Sequence, residues 1–295
     1  MTITLTDSGI ETRIIYEFKH DIDDFESFEL LEDESGSDIL RRIYQSYADV
    51  GVRNGLPIQL GTPTWRASRK WTNDVARVNA AAVELVREVA HASGARIIVA
   101  GVIGPASDGY SSGEALNAED AFAYHCEQAE TLAERNVDLL YAPTFPALSE
   151  LYGVARAMAR TGRPYALAPM LRPDGTMLDG TTLAEAIASI DADVSPAPQY
   201  YMIGCLYPTH AQSALRALRA ARPDIVLRVR GLKANASPLS PEELDKLDHL
   251  AATDCQTWAR DEIACAREFD LTILGGCCGT DQRCIETLAK EAQQG

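Results

Sequence analysis

The sequence predicts a single-domain (β/α)8 barrel of the TIM type over residues 1–295, and three observations carry that expectation. Eight apolar, strand-like runs alternate with helical patterns at a regular spacing, the rhythm of a parallel α/β fold. No Gly-x-Gly-x-x-Gly fingerprint follows the first run, which disfavours an open doubly wound sheet built around a dinucleotide. The residues with distinctive chemistry stand where strands end, and barrel enzymes build their sites from the carboxyl ends of several strands.

Taken in order, residues 2–6 alternate as a strand and run into Asp7-Ser8-Gly9, a turn cluster carrying a carboxylate. Residues 21–38 are acidic and read as a solvated loop. Ser37 is expected to cap a helix over Ile39, Leu40, Ile43, Tyr44, Tyr47 and Val50, which share one face, with Gly51 as its stop. Residues 56–60 form the second strand, opening into Gly61-Thr62-Pro63, with a helix over 72–93 that Gly94 ends. The third strand is the β-branched run 96–101, followed by a turn-rich loop over 104–113 and a helix from Asn117. The fourth, 137–142, is expected to stop at Pro143, and a helix follows from Ala147. Strand five is 165–168, and its loop over 172–180 leads to a helix from Thr181. Strand six ends at Cys205, with a helix over 210–221. Strand seven is read from the run 225–229, and a long helix from the capping-box-like Ser240-Pro241-Glu242-Glu243. Residues 271–274 are the eighth strand.

That last strand delivers the chemistry. Leu274 runs into Gly275-Gly276 and then into adjacent Cys277 and Cys278, and the glycines allow a sharp turn and close approach to a ligand. Neighbours on a strand face opposite sides, so two adjacent cysteines cannot fill one core layer, whereas a turn can aim both at one ion. Cys205 follows Gly204 in the same way, and strands six and eight are close enough in a barrel for all three sulfurs to meet. Three sulfurs with one open position is a common way to hold a catalytic zinc. Such a site lowers the pKa of a bound thiol and turns it into a nucleophile toward an activated methyl or other alkyl group. The alternative is a vicinal-cysteine redox or metal-sensing protein, which would need neither Cys205 nor a pocket. Cys126, Cys255, Cys265 and Cys284 fall within helical patterns and read as packing or surface thiols, and His125 as a neighbour of Cys126 rather than its catalytic partner. Trp65, Tyr110 and Tyr207 lie on mouth loops and could face a sulfonium donor; Arg172 could read a carboxylate.

Lys and Arg number 27 against 43 Asp and Glu, a formal charge of −16, which disfavours nucleic acid or an anionic membrane as partner. The expected partners are a small thiol acceptor and a methyl donor, with the oligomeric state open. Seven cysteines without a signal-like segment or a long apolar run point to a cytoplasmic setting with free thiols.

The motif Gly275-Gly276-Cys277-Cys278-Gly279-Thr280, with Gly204-Cys205 and Leu5-Thr6-Asp7-Ser8-Gly9, resembles the homocysteine S-methyltransferase family of zinc-dependent barrels. Residues 100–105 and 178–181 also look like family segments. The resemblance implies one zinc held by Cys205, Cys277 and Cys278, and Asp7 as the catalytic and substrate-binding carboxylate that holds the acceptor's amino group. It also implies Thr62 as a substrate-binding, pocket-lining residue. Two positions depart from the pattern: Pro143 stands where the family places an amino-binding glutamate, and Gly204 where it usually has asparagine. The expected acceptor is therefore homocysteine or a related small thiol.

Overall fold

Eight short parallel strands pair in sequence order and close on themselves into a barrel. They are β1 (Thr4–Thr6), β2 (Ile58–Gly61), β3 (Ile97–Val102), β4 (Leu139–Phe145), β5 (Tyr165–Pro169), β6 (Tyr200–Gly204), β7 (Val229–Ala234) and β8 (Ile273–Gly276). Closure is made by β1, whose Leu5 pairs with Ile58 of β2 on one side and with Leu274 of β8 on the other. The computed structural model describes residues 3–244 and 249–294, so Thr2 of the expected first strand lies outside the described residues.

Side chains alternate across each strand, and both faces are buried. Ala100, Leu139, Tyr141, Ala166, Ala168, Tyr200 and Met202 fill the barrel interior. Alanines on β3 and β5 face the larger residues of β4 and β6, so the interior is packed rather than hollow. The intervening residues, among them Leu140, Leu167, Tyr201, Ile203, Leu232 and Leu274, pack outward against the helices. Those helices begin at strong caps. Asn117 accepts from the backbone of Glu119 and Asp120, Thr182 and Glu185 form a reciprocal capping box, and Asp281 accepts from Arg283 and Cys284.

Several boundaries differ from the sequence expectation for physical reasons. The helix Glu34–Asn54 starts ahead of Ser37, because the Asp33 carboxylate caps the backbone N–H of Gly36 at 2.8 Å. It runs through Gly51 and ends at Gly55, whose φ of 64° supplies the left-handed stop. Part of the acidic stretch packs instead of being solvated: Ser27–Leu31 is a 3-10 turn that buries Phe28 and Leu30. β4 does not stop at Pro143 but continues to Phe145 across a bulge, with Thr144 at a φ of 62°. β7 is not the run 225–229. Pro223–Val226 is a helical turn, and the strand is Val229–Ala234, which places Lys233 near its carboxyl end. Ser240 opens only the short helix Pro241–Leu244, the residues that would continue it, 245–248, lie outside the described residues, and a separate helix, Cys255–Phe269, is capped by Asp254. Cys255 and Cys284 are not separate thiols: a disulfide joins the first turns of Cys255–Phe269 and Gln282–Gln293. Among the described residues no helix is long and apolar enough to cross a membrane.

Candidate metal and thiol site

Cys205, Cys277 and Cys278 meet at the barrel mouth, with their sulfurs all within 4.8 Å of one another. The local backbone aims them there. Cys205 follows β6 with a φ of 53°, a left-handed conformation uncommon for a residue with a Cβ, and its N–H is fixed by Lys233 O at 2.9 Å. Cys277 N–H donates to Ala234 O at 2.7 Å, and Cys278 O accepts from Ala236 N–H at 3.0 Å, so β7 and its loop hold the other two. The turn is made at Gly279, with a φ of 80°, and not at the two glycines before the cysteines. Gly275 and Gly276 serve a different purpose: a Cβ on Gly275 would lie 2.2 Å from Thr6 Oγ1 and 2.9 Å from Thr6 O. They let β8 lie against β1.

The cluster suits a divalent cation. Hydrogen bonds from the thiols of Cys277 and Cys278, with a further one from Asn235, hold the Cys205 thiol well below its ordinary value despite burial. The same hydrogen bonds to Cys205 push Cys277 far up and Cys278 up to about 12. Without an ion the trio can therefore carry one thiolate, since adjacent like charges exclude one another. A soft dication held by Cys205, Cys277 and Cys278 would remove that repulsion and would supply Lewis-acid chemistry beside the cavity. Asn235 Nδ2 donates to Cys205 Sγ at 3.2 Å, and Tyr110 Oη lies 3.9 Å from Cys278 Sγ. The neighbouring cysteine sulfurs, Cys278 first, and burial push the Tyr110 phenol well up, so it stays protonated.

The cavity beside the sulfurs is lined by Asp7, Glu11, Thr62, Trp65, Tyr110, Tyr141, Pro143, Thr144, Met170 and Lys233 among others. Asp7, at the end of β1, is 1% exposed. Its Oδ2 accepts from Gly61 N–H at 2.5 Å and its Oδ1 accepts from Lys233 Nζ. Burial works against the Lys233 charge, but the Asp7 carboxylate more than offsets it and keeps the ammonium protonated. Thr62 lines the cavity, yet its hydroxyl is engaged with Thr64 Oγ1 at 2.6 Å and Val102 N–H at 3.0 Å. Glu11 lies four residues after Asp7, in the first turn of the helix Ile10–Tyr16, and accepts from Ser27 Oγ at 3.0 Å. Burial lifts its carboxyl to about 7.

Of the aromatic candidates, Trp65 and Tyr110 line the cavity, with Phe25 edge-on to Trp65 at 6.3 Å between ring centroids. Tyr207 turns away and donates to Asp261 at 3.2 Å. Arg172 is bound to Glu242 at 2.8 Å and to the carbonyls of Met177 and Leu178, which makes it a loop brace. His125 pairs with Glu150 at 3.1 Å in the fully buried layer behind the loop after β3. Sequence reasoning missed Glu11, Lys233 and Asn235. Lys233 and Asn235 were hidden by the misplaced seventh strand, although a lysine and an asparagine closing a Val-x-Gly-Leu-x-Ala strand pattern are a readable signal.

The chain matches the homocysteine S-methyltransferase family over residues 4–292. It is 26% identical over 272 residues to the S-methylmethionine–homocysteine S-methyltransferase BHMT2 of Pongo abelii, spanning 86% of this chain and 69% of that protein. The homocysteine S-methyltransferase YbgG of Bacillus subtilis is 25% identical over 215 residues, 66% of this chain and 62% of the relative. Among solved structures, the metallated form of the homocysteine methyltransferase MmuM from Escherichia coli superposes with a TM-score of 0.76 at 20% identity, covering 99% of this chain and 96% of that one, a likeness of fold. With the match running through both cysteine motifs, the chain belongs to the homocysteine S-methyltransferase family.

Proposed function

We propose that the chain is a zinc-dependent S-methyltransferase that moves a methyl group to the thiol of homocysteine or a related small thiol. The observation that carries this reading is the convergence of Cys205 with Cys277 and Cys278 in the lining of one cavity. The vicinal-cysteine redox alternative gives Cys205 no part, and it is not favoured by the family match. Zinc bound by the three cysteines supplies a soft Lewis acid that keeps the acceptor sulfur in its thiolate form at neutral pH.

The chain's own residues do the rest. Asn235 fixes the Cys205 sulfur through its N–H donor, and the backbone bonds from β7 fix the other two. Asp7 and Lys233 form a buried polar floor at one side of the cavity. Trp65, Tyr110 and Phe25 form an aromatic side that excludes water and can face a cationic methyl donor, since the faces of aromatic rings attract onium groups. Donor methyl and acceptor sulfur must be aligned, and holding both in one cavity converts a bimolecular displacement into a local one. Asp7 and Thr62, which the family resemblance puts on the acceptor side, both line the cavity. A cytoplasmic setting would keep the three site thiols reduced, although it disfavours the Cys255–Cys284 disulfide.

The test is methyl transfer by zinc-loaded protein from S-methylmethionine or betaine, the donors named by two relatives, to homocysteine, read as methionine formed. Loss of transfer in Cys277→Ala and Cys278→Ala with the fold intact supports the reading. Full transfer by either variant would remove it.

A further inference from the structure

The family resemblance assigns the acceptor's amino group to Asp7 and to a glutamate after the fourth strand, and in this chain neither is available in that form. Pro143 has no side-chain acceptor. Both Asp7 oxygens are already engaged, one by Lys233 Nζ and the other by Gly61 N–H. A substrate ammonium placed on Asp7 would also sit beside the Lys233 ammonium. The charged side chains lining the cavity are Asp7, Glu11 and Lys233, and the first and third cancel. Glu11 is the charge left over.

We propose that Glu11, rather than Asp7, reads the ammonium of the acceptor, so that the acceptor is a small thiol bearing an amino group. This rests on the thiol-methylation reading and deepens it. Glu11 sits in the first turn of the helix Ile10–Tyr16, four residues after Asp7, and opens onto the same cavity as the three sulfurs. Ser27 Oγ holds its Oε1 at 3.0 Å, the only side-chain hydrogen bond to this carboxylate among the described residues. Burial, aided by the nearby Cys278, lifts the carboxyl against a backbone hydrogen bond, Ser27 and the more weakly acting Lys233, and an arriving ammonium supplies a countercharge. A thiol carrying only a carboxylate would add a second negative charge beside an uncompensated one and beside the cysteine sulfurs. With Asp7 bound to it, Lys233 still has N–H donors to spare and can take the carboxylate of an amino acid, since a lysine ammonium carries three.

The experiment uses zinc-loaded full-length protein and two thiols of matched length, homocysteine and 4-mercaptobutyrate, which lacks the amino group. Their binding is measured by calorimetry and, separately, their methylation with S-methylmethionine and with betaine. Wild-type protein is expected to bind homocysteine at least about tenfold more tightly, the scale of one charge-assisted hydrogen bond. In the isosteric Glu11→Gln variant homocysteine binding weakens about ten- to hundredfold while 4-mercaptobutyrate binding is unchanged or tighter, since the repelling charge is gone, which also shows that the variant is folded. Equal weakening of both thiols, no change in either, or a wild-type protein indifferent to the amino group would overturn the assignment. Failure of the wild type to bind or methylate any thiol would instead remove the methyltransferase reading, and the assignment with it.

Discussion

Asn235 Nδ2 donates a hydrogen bond to Cys205 Sγ at 3.2 Å, tying the loop after β7 to the sulfur at the end of β6. Asn235 is 2% exposed, and its Oδ1 accepts from Ser237 N–H at 2.9 Å, so the amide is oriented from both ends. Outer partners of metal ligands commonly govern affinity by ten- to a hundredfold. Asn235→Ala is expected to weaken zinc binding by about that range with the three cysteines intact. Competition against a chelator of known affinity measures it; an unchanged affinity would show that the bond orients nothing.

The Asp7–Lys233 pair is buried, with side-chain exposures of 2% and 17%. Removing one partner strands the other without a countercharge. Lys233→Met should cost about 3–5 kcal/mol of stability. The double variant Asp7→Asn/Lys233→Met should recover most of it, because no charge is then left buried. Urea unfolding of wild type and the two variants reads both effects, and a double variant no more stable than Lys233→Met would contradict the pairing.

Glu11 makes stability depend on pH in an unusual direction. Its folded value of about 7 lies above the ordinary 4.5, so the native state keeps a proton that the unfolded chain releases. The slope of stability against pH is therefore negative between those values: this group's contribution is complete below pH 4.5 and lost as pH rises through 7. At about 1.4 kcal/mol per unit the loss is on the order of 3 kcal/mol. Unfolding midpoints of wild type and Glu11→Gln, compared at about pH 5 and about pH 8, should diverge at the higher pH in favour of the variant. Parallel midpoints would show that Glu11 titrates normally.

The two glycines before the cysteines should be intolerant for packing reasons, and the glycine before Cys205 should not. Alanine at Gly275 must displace the backbone of Thr6, whereas a Cβ on Gly204 would find Ala168 Cβ at 3.4 Å, an ordinary contact. Gly275→Ala is expected to cost about 1–3 kcal/mol, and Gly204→Ala to stay within about 0.5 kcal/mol. Thermal melts distinguish them.

Much of this architecture is legible in the sequence because parallel strands buried on both faces are written as continuous apolar runs, and eight of them in alternation leave few folds. The three cysteines are legible because adjacent thiols after glycines have no packing explanation. What the sequence hid has physical causes. Ile225 and Val226 look like a strand, but Pro223 starts a helical turn there, and the true β7 includes Arg230, Gly231 and Lys233, which break an apolar reading. Glu11 lies in a short helix of seven residues, too brief to show a period, and its closeness to the sulfurs follows only from closure of β1 against β8. The Cys255–Cys284 link spans 29 residues and depends on two helix starts that meet only in the folded barrel.

The zinc content of protein purified under reducing conditions, for wild type and for Cys205→Ala, tests the central claim most directly. The sulfur cluster predicts about one tightly held zinc per chain in the wild type, and loss or marked weakening in the variant, because Cys205 would be one of three ligands that follow two strands. A wild-type protein that neither holds nor takes up zinc, or a variant that holds it undiminished, would contradict the account.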